Sequence, residues 1–280
     1  MSCCVKRMAI AIAWVILLLT GVQAEEVGAR WGTEQREREY YRVVSVPIPK
    51  GQVIESGAFE LMPDNRMAIG TRRGDIYFMS GVDDDKPRPR FDKFADGLDE
   101  IFGLAHRKGE KDTLYVTHSA ELTRVRDTNG DGRADRFETV SDAWGYRNYH
   151  EYAFGSKFDA QGNLYVALGL SASYHSRALF RGWAMKITPD GKSIPIASGL
   201  RSPGGIGPNE HGALFYIESQ GPWNSSCSLK FLKHGGFMGH HVSFNWYPYA
   251  PGLKRPVAPE SGTRIVSEKE KVKEEDVVQD

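Results

Sequence analysis

The sequence predicts an all-β protein folded as a β-propeller, and three observations carry that reading. An apolar triplet recurs four times, as Met67-Ala68-Ile69, Leu114-Tyr115-Val116, Leu164-Tyr165-Val166 and Leu214-Phe215-Tyr216, at intervals of 47, 50 and 50 residues. Upstream of each stands a glycine with small or apolar neighbours, in Gly57-Ala58-Phe59, Gly103-Leu104-Ala105, Phe154-Gly155 and Gly205-Ile206-Gly207. Beyond the N-terminal apolar run, no stretch of about 11 residues repeats with a helical period. Recurrence near 50 residues, built from short strands, is the pattern of propeller blades. Each blade brings one strand to a central channel, a place the triplets would take if they are the innermost strands.

The elements follow in chain order. Lys6 and Arg7 precede an apolar run from Met8 to Gly21, and Val22-Gln23-Ala24 closes it before Glu25-Glu26. Residues 1–24 therefore read as a secretory signal peptide cleaved after Ala24, which predicts an exported, periplasmic or extracellular protein. The run is too short to span a hydrocarbon core of roughly 30 Å, so no membrane span is expected after cleavage. Cys3 and Cys4 leave with the signal, and the one remaining cysteine, Cys227, allows no intramolecular disulfide, haem attachment or zinc cluster. Residues 25–50 form a polar extension that ends in a strand-like Tyr41–Val46. The blades occupy 51–260, with repeats at about 52–97, 98–145, 146–198 and 199–250. Turn residues such as Asp64-Asn65, Asp159-Ala160-Gln161-Gly162 and Pro189-Asp190-Gly191 separate their strands. The charged tail, 261–280, holds too little apolar content to pack and is read as disordered.

Charge excludes one class of partner. The 36 Lys and Arg balance 36 Asp and Glu, with no basic stripe, so nucleic acid is not expected. No G-x-S-x-G, Walker loop or H-E-x-x-H is present to support a hydrolase or a nucleotide site.

Two constellations could carry chemistry. Asp127, Asn129, Asp131, Asp135 and Glu138 occupy positions 1, 3, 5, 9 and 12 of a calcium-loop pattern, with Gly132 at position 6. Strand-like flanks leave a second reading open, a hairpin connection rich in residues that tolerate turns. Four positions after each triplet begins stand Thr71, His118, Leu168 and Glu218, which would emerge together at one channel mouth. His150 with Glu151, and Arg201 with Ser202, lie just ahead of the later repeats. Imidazole, guanidinium and carboxylate gathered there could abstract a proton and hold an anion; taken singly, His118 and Glu218 are better read as bonding backbone groups at blade junctions. His234, His240 and His241 offer a further imidazole cluster in a glycine-rich loop.

Tyr149-His150-Glu151-Tyr152, continuing through Phe158–Val166, resembles the segment around the general-base histidine of glucose/sorbosone dehydrogenases. Gly199–Gly205 is similar to their arginine-containing turn, and Ile217-Glu218-Ser219-Gln220-Gly221-Pro222-Trp223-Asn224 to their E-Q-G-P-N stretch. The Leu122–Glu138 hairpin and the Trp223–Trp246 segment are closer still to a subgroup of large secreted bacterial proteins called membrane-bound dehydrogenases. The resemblance covers about residues 50–260. It implies a six-bladed propeller using pyrroloquinoline quinone and calcium, of which about four blades are present here. It assigns His150 as base, Arg201, Ser202 and Gln220 as cofactor contacts, and Gly221 and Pro222 as calcium carbonyls. The implied reaction moves a hydride from a sugar or polyol carbon to the quinone. Tyr149, Ser202 and Leu168-Gly169-Leu170 depart from the family pattern, and the family draws its clamps for the quinone carboxylates from blades five and six. The chain is therefore expected to be truncated, to close differently, or to need a partner that completes the propeller. The competing expectation is a non-catalytic, calcium-stabilised propeller that binds carbohydrate or protein.

Overall fold

The computed structural model describes residues 34–82, 86–170, 176–219 and 226–256. The chain divides into two compact units, Met1–Ser45 and Val46–Asp280. Among its described residues the first unit holds one short α-helix, α1 (Glu34–Glu37). The strand expected at Tyr41–Val46 does not form. This segment joins no sheet, and Tyr40, Tyr41 and Val43 are exposed, so its alternation finds neither a partner ladder nor a core. The predicted signal peptide, 1–24, and the charged tail, 261–280, lie outside the described residues.

The second unit is a β-propeller of four antiparallel blades in sequence order. Blade one contains β1 (Ser56–Leu61), β2 (Met67–Thr71), β3 (Ile76–Ser80) and β4 (Arg90–Ala95). Blade two contains β5 (Ile101–Ala105), β6 (Thr113–His118), β7 (Leu122–Arg126) and β8 (Arg136–Ser141). Blade three contains β9 (Ala153–Gly155), β10 (Leu164–Leu168), β11 (Trp183–Ile187) and β12 (Ser193–Ser198). Blade four has three strands among the described residues, β13 (Pro203–Pro208), β14 (Leu214–Glu218) and β15 (Ser228–Phe231). Among the described residues no helix is long and apolar enough to cross a membrane.

One detail of the predicted order changes. The apolar triplets are the second strand of each blade, and the glycine-bearing β1, β5, β9 and β13 take the innermost places. Phe59, Gly103, Gly155 and Ile206, one from each first strand or its end, line a cavity of about 340 Å³. The reason is steric. The second strand of an inner blade lies between two neighbouring blades and is buried on both faces, as all six residues of β6 are, which favours its apolar centre, Leu114-Tyr115-Val116. A first strand approaches its neighbours' backbones. A Cβ added at Gly103 would stand 2.6 Å from the Gly155 Cα and 2.8 Å from the Thr117 Cβ.

The core is laid down between blades. Phe78 and Phe94 of blade one pack with Leu114 and Val125 of blade two. Tyr115 and Leu122 meet Leu164 and Trp183 of blade three, and Ala184 and Ile196 meet Ile206 and Tyr216 of blade four. A 3₁₀ helix, His241–Tyr249, follows β15 and returns to blade three. Trp183 Nε1 donates to the Ser243 carbonyl at 2.9 Å, and the Tyr247 ring lies 4.8 Å from the Trp183 ring. The predicted turns close as their chemistry suggests. At the β9–β10 hairpin the Asp159 carboxylate accepts the Gln161 and Asn163 N–H groups at 2.9 and 2.8 Å, and Gly162 adopts φ +79°.

The tight approach of the first strands makes a directional prediction. Gly103→Ala should cost about 3 kcal/mol by urea unfolding. Gly207→Ala, whose new Cβ would meet nothing within 4 Å, should be neutral or slightly stabilising.

Candidate functional site

The strand registers bring the predicted mouth residues to one end of the blades. Ser56 pairs with Thr71, Ile101 with His118, Ala153 with Leu168, and Pro203 with Glu218. His150 precedes β9 and Arg201 precedes β13, so both stand at that same end. Leu168 leads into the backbone that joins them. Gly169 N–H donates to the Tyr152 carbonyl and Leu170 N–H to the Arg201 carbonyl, each at 2.9 Å.

His150 is partly exposed and heads a row of rings. Its imidazole lies 4.0 Å from the Tyr149 ring and 6.3 Å from that of Tyr152. Phe102 continues the row, 4.9 Å from Tyr152 and 5.1 Å from Phe154, and it lines the channel cavity. Beside Tyr152, Arg72 donates to Glu100 at 2.9 Å.

Neither carboxylate predicted at this end projects as a reactive group. Glu151 is buried; it accepts Arg147 N–H at 2.6 Å, Asn148 N–H at 3.2 Å and the Ser176 hydroxyl at 2.5 Å. Glu218 is also buried; it accepts the N–H groups of Arg201 and Ser202 at 2.6 and 2.9 Å and the Tyr216 hydroxyl at 2.7 Å. Each carboxylate braces the turn that carries a candidate residue.

His118 turns inward as well. Thr123 donates its hydroxyl proton to Glu121, so its oxygen accepts from His118 Nε2–H at 3.0 Å. That tautomer leaves the lone pair on Nδ1, which is buried without a partner. Burial holds this imidazole below the usual histidine range, against the pull of Glu121 and Asp99.

The wider imidazole cluster divides. His240 and His241 stack at 5.3 Å with planes 9° apart, whereas His234 is exposed on the preceding turn. Among the described residues no three His, Cys, Asp or Glu side chains gather at metal-binding spacing. Buried His240 caps the 3₁₀ helix, accepting from Val242 N–H at 3.4 Å. Burial, followed by the nearby His241 and Arg201 charges, lowers its pKa to about 4.

In the β7–β8 connection, Asp127 accepts the N–H groups of Asn129, Gly130 and Gly132 at 3.2, 2.6 and 2.8 Å. Asp131 accepts from Arg133 N–H at 2.8 Å, and Asp135 from Thr128 N–H at 2.9 Å. These side chains and Asn129 share one hairpin loop. Glu138 turns away from it to Arg124, Arg126 and Arg136 at 2.9, 2.5 and 2.9 Å. Gln220, Gly221 and Pro222 lie outside the described residues.

The residue that sequence reasoning missed is Arg181. It is fully buried, and its guanidinium donates to the carbonyls of Gly145, Tyr152 and Ser119 at 2.7, 2.8 and 2.7 Å. Burial pushes its pKa down to about 10, against the pull of Glu151 and Tyr146. The available signal was a lone charge inside the apolar run Ala178–Met185.

Residues 52–251 match the family described as Domain of unknown function (DUF7133). No curated protein matches the chain. Among solved structures, a Thermus thermophilus protein described as an oxidoreductase (glucose dehydrogenase) is similar, with 20% identity and a TM-score of 0.52. That likeness covers 69% of this chain and 66% of the Thermus protein, so the chain spans slightly less than two thirds of that relative. The soluble aldose sugar dehydrogenase of Escherichia coli is 17% identical with a TM-score of 0.50, over 72% of this chain and 71% of its own. A Trichoderma reesei member of Carbohydrate-Active Enzymes Family AA12 is 12% identical with a TM-score of 0.51, over 72% and 60% respectively. At these identities the likeness is one of fold.

The lowered pKa of His240 sets an acid limit. The unfolded chain binds a proton there near pH 6.5, and the folded chain only near pH 4. Stability is thus fully present above the higher value and falls as pH drops toward the lower. Unfolding at pH 7 and pH 4 should show the wild type losing about 3 kcal/mol more than His240→Gln.

Proposed function

The chain belongs to the family described as Domain of unknown function (DUF7133), and from that premise we propose that it is a sugar or polyol oxidoreductase with His150 as proton acceptor. The observation that carries this reading is the position of His150, partly exposed at the head of an aromatic row that runs into the channel. An uncharged imidazole suits removal of a hydroxyl proton near neutral pH. Flat rings offer the apolar face of a sugar a place to lie, and the Arg72–Glu100 pair supplies fixed polar groups beside it.

Arg201 and Ser202 would hold an anionic cofactor. Glu218 fixes their turn by taking both backbone N–H groups, and the turn carries a guanidinium and a hydroxyl as donor types. This donor chemistry fits the carboxylates of pyrroloquinoline quinone. When bound, that group supplies the carbonyl that receives the hydride, with calcium as Lewis acid. The protein's own part is to bind the sugar against the rings, orient its reacting carbon and take the hydroxyl proton on His150. The substrate loses one proton and one hydride and leaves as a carbonyl compound or lactone.

A second reading, a calcium-braced propeller that binds carbohydrate or protein without turnover, is favoured by one observation. Blade four leaves apolar side chains uncovered. Ile217 is 49% exposed, while Thr117 and Ala167, at the same register in blades two and three, are 2% and 0% exposed. With Leu229 and Phe231, that face would suit a further sheet from a partner that completes the propeller.

Reconstitution with calcium and pyrroloquinoline quinone should give dye reduction with aldoses, and His150→Ala should lower kcat about 100-fold or more. Absence of both turnover and a cofactor-induced rise in Tm decides for the binding propeller. An unchanged rate in His150→Ala removes that residue from the reaction.

A further inference from the structure

We infer that Arg181 is a positioning residue for His150, and that one buried guanidinium fixes both ends of the segment that carries the imidazole. Two of its acceptors, the Gly145 and Tyr152 carbonyls, bracket residues 146–151. The third, the Ser119 carbonyl, belongs to the end of blade two and ties the bracket to the neighbouring blade. Inside the bracket, Glu151 takes the N–H groups of Arg147 and Asn148. The segment is held by a cation at its carbonyls and by an anion at its amides. It needs no regular secondary structure to keep His150 in place.

The arrangement is costly, which argues against a filler role. A fully buried guanidinium loses its hydration, and here it donates to three neutral carbonyls. An apolar side chain of similar volume would leave most of the fold intact. The Ser119 carbonyl would keep Trp144 Nε1 at 3.1 Å, and the Tyr152 carbonyl would keep Gly169 N–H at 2.9 Å. The strand ladders of blades two and three do not use the guanidinium. The Gly145 end of the His150 segment is where its loss should be felt. Lysine cannot replace it, because a single ammonium group lacks the planar fork needed to span three carbonyls.

The consequence for catalysis rests on the oxidoreductase reading; the consequence for the imidazole does not. In the full chain, the ¹Hε1–¹³Cε1 signal of His150 is assigned with His150→Gln and followed with pH in wild type, Arg181→Lys and Arg181→Met. Arg181→Met should shift or broaden the His150 signal, with those of His211 and His234 unchanged, and added guanidinium at sub-denaturing concentration should restore it. Arg181→Lys should lie between the two. In reconstituted protein kcat should fall about 100-fold, with KM for the sugar little changed. A His150 signal in Arg181→Met identical to wild type overturns the proposal, as does one disturbed together with those of His211 and His234. Should Arg181→Met fail to fold, Arg181→Lys decides on the same signals. Wild-type protein without turnover rejects the oxidoreductase reading and leaves the spectroscopic result to judge Arg181 by itself.

Discussion

The narrowness of the channel axis governs the molecule. Gly103 and Gly155 come so close that neither position has room for a side chain, and the first strands converge there while the later strands of each blade fan outward. Convergence at the axis gathers the segments that lead into those strands at one end. These segments cannot all be strands. They must cross from the outer edge of one blade to the inner edge of the next, so their backbone groups lack ladder partners. Buried amides and carbonyls without partners are expensive. The protein answers with buried ions.

The sign of each ion follows the polarity of the backbone it serves. Where a turn presents N–H groups, a carboxylate takes them, as Glu151 does at 147–148 and Glu218 at 201–202. Where segments present carbonyls, Arg181 takes them. A hydrogen bond to an ionised group is stronger than one between neutral groups, which helps to offset the desolvation of these charges. Lys230, 3.7 Å from Glu218, adds partial neutralisation. The candidate residues therefore sit on a frame stiffened by adjacent buried carboxylates. His150 borders Glu151, and Arg201 lies opposite Glu218.

This division explains what could be read from the sequence. The second strands announced themselves because burial of their centres favours an apolar triplet, and the fifty-residue recurrence followed from that. Their apolar character also drew the innermost assignment to the wrong strands, since glycine, not bulk, marks the axis. Glu218 was legible both as a mouth residue and as a group that bonds backbone at a blade junction, as it does; Glu151 was legible only as a mouth residue, because an amide acceptor leaves no mark at the amide's own position. Arg181 was harder still. Its three acceptors are main-chain carbonyls at 119, 145 and 152, and any side chain could precede them. The Asp127 loop shows a limit of another kind. The oxygens that would wrap a cation are those that accept N–H groups in a tight turn; what the structure adds is that Glu138 departs to its arginines and that no three carboxylates gather at metal-binding spacing among the described residues.

The two imidazoles at this end separate on the same grounds. His118 has its proton assigned by the Thr123–Glu121 relay and its lone pair enclosed, so whatever it accepts must already be inside the protein. Protonating it would create a cation where burial disfavours one. His150 has neither restraint on its ring. Its ring lies tilted beside those of Tyr149 and Tyr152 and is partly exposed. In the proposed reaction, a base that must take a proton from one molecule and surrender it before the next needs an accessible ring on a rigid support. Of these two histidines, His150 is the one with an accessible ring.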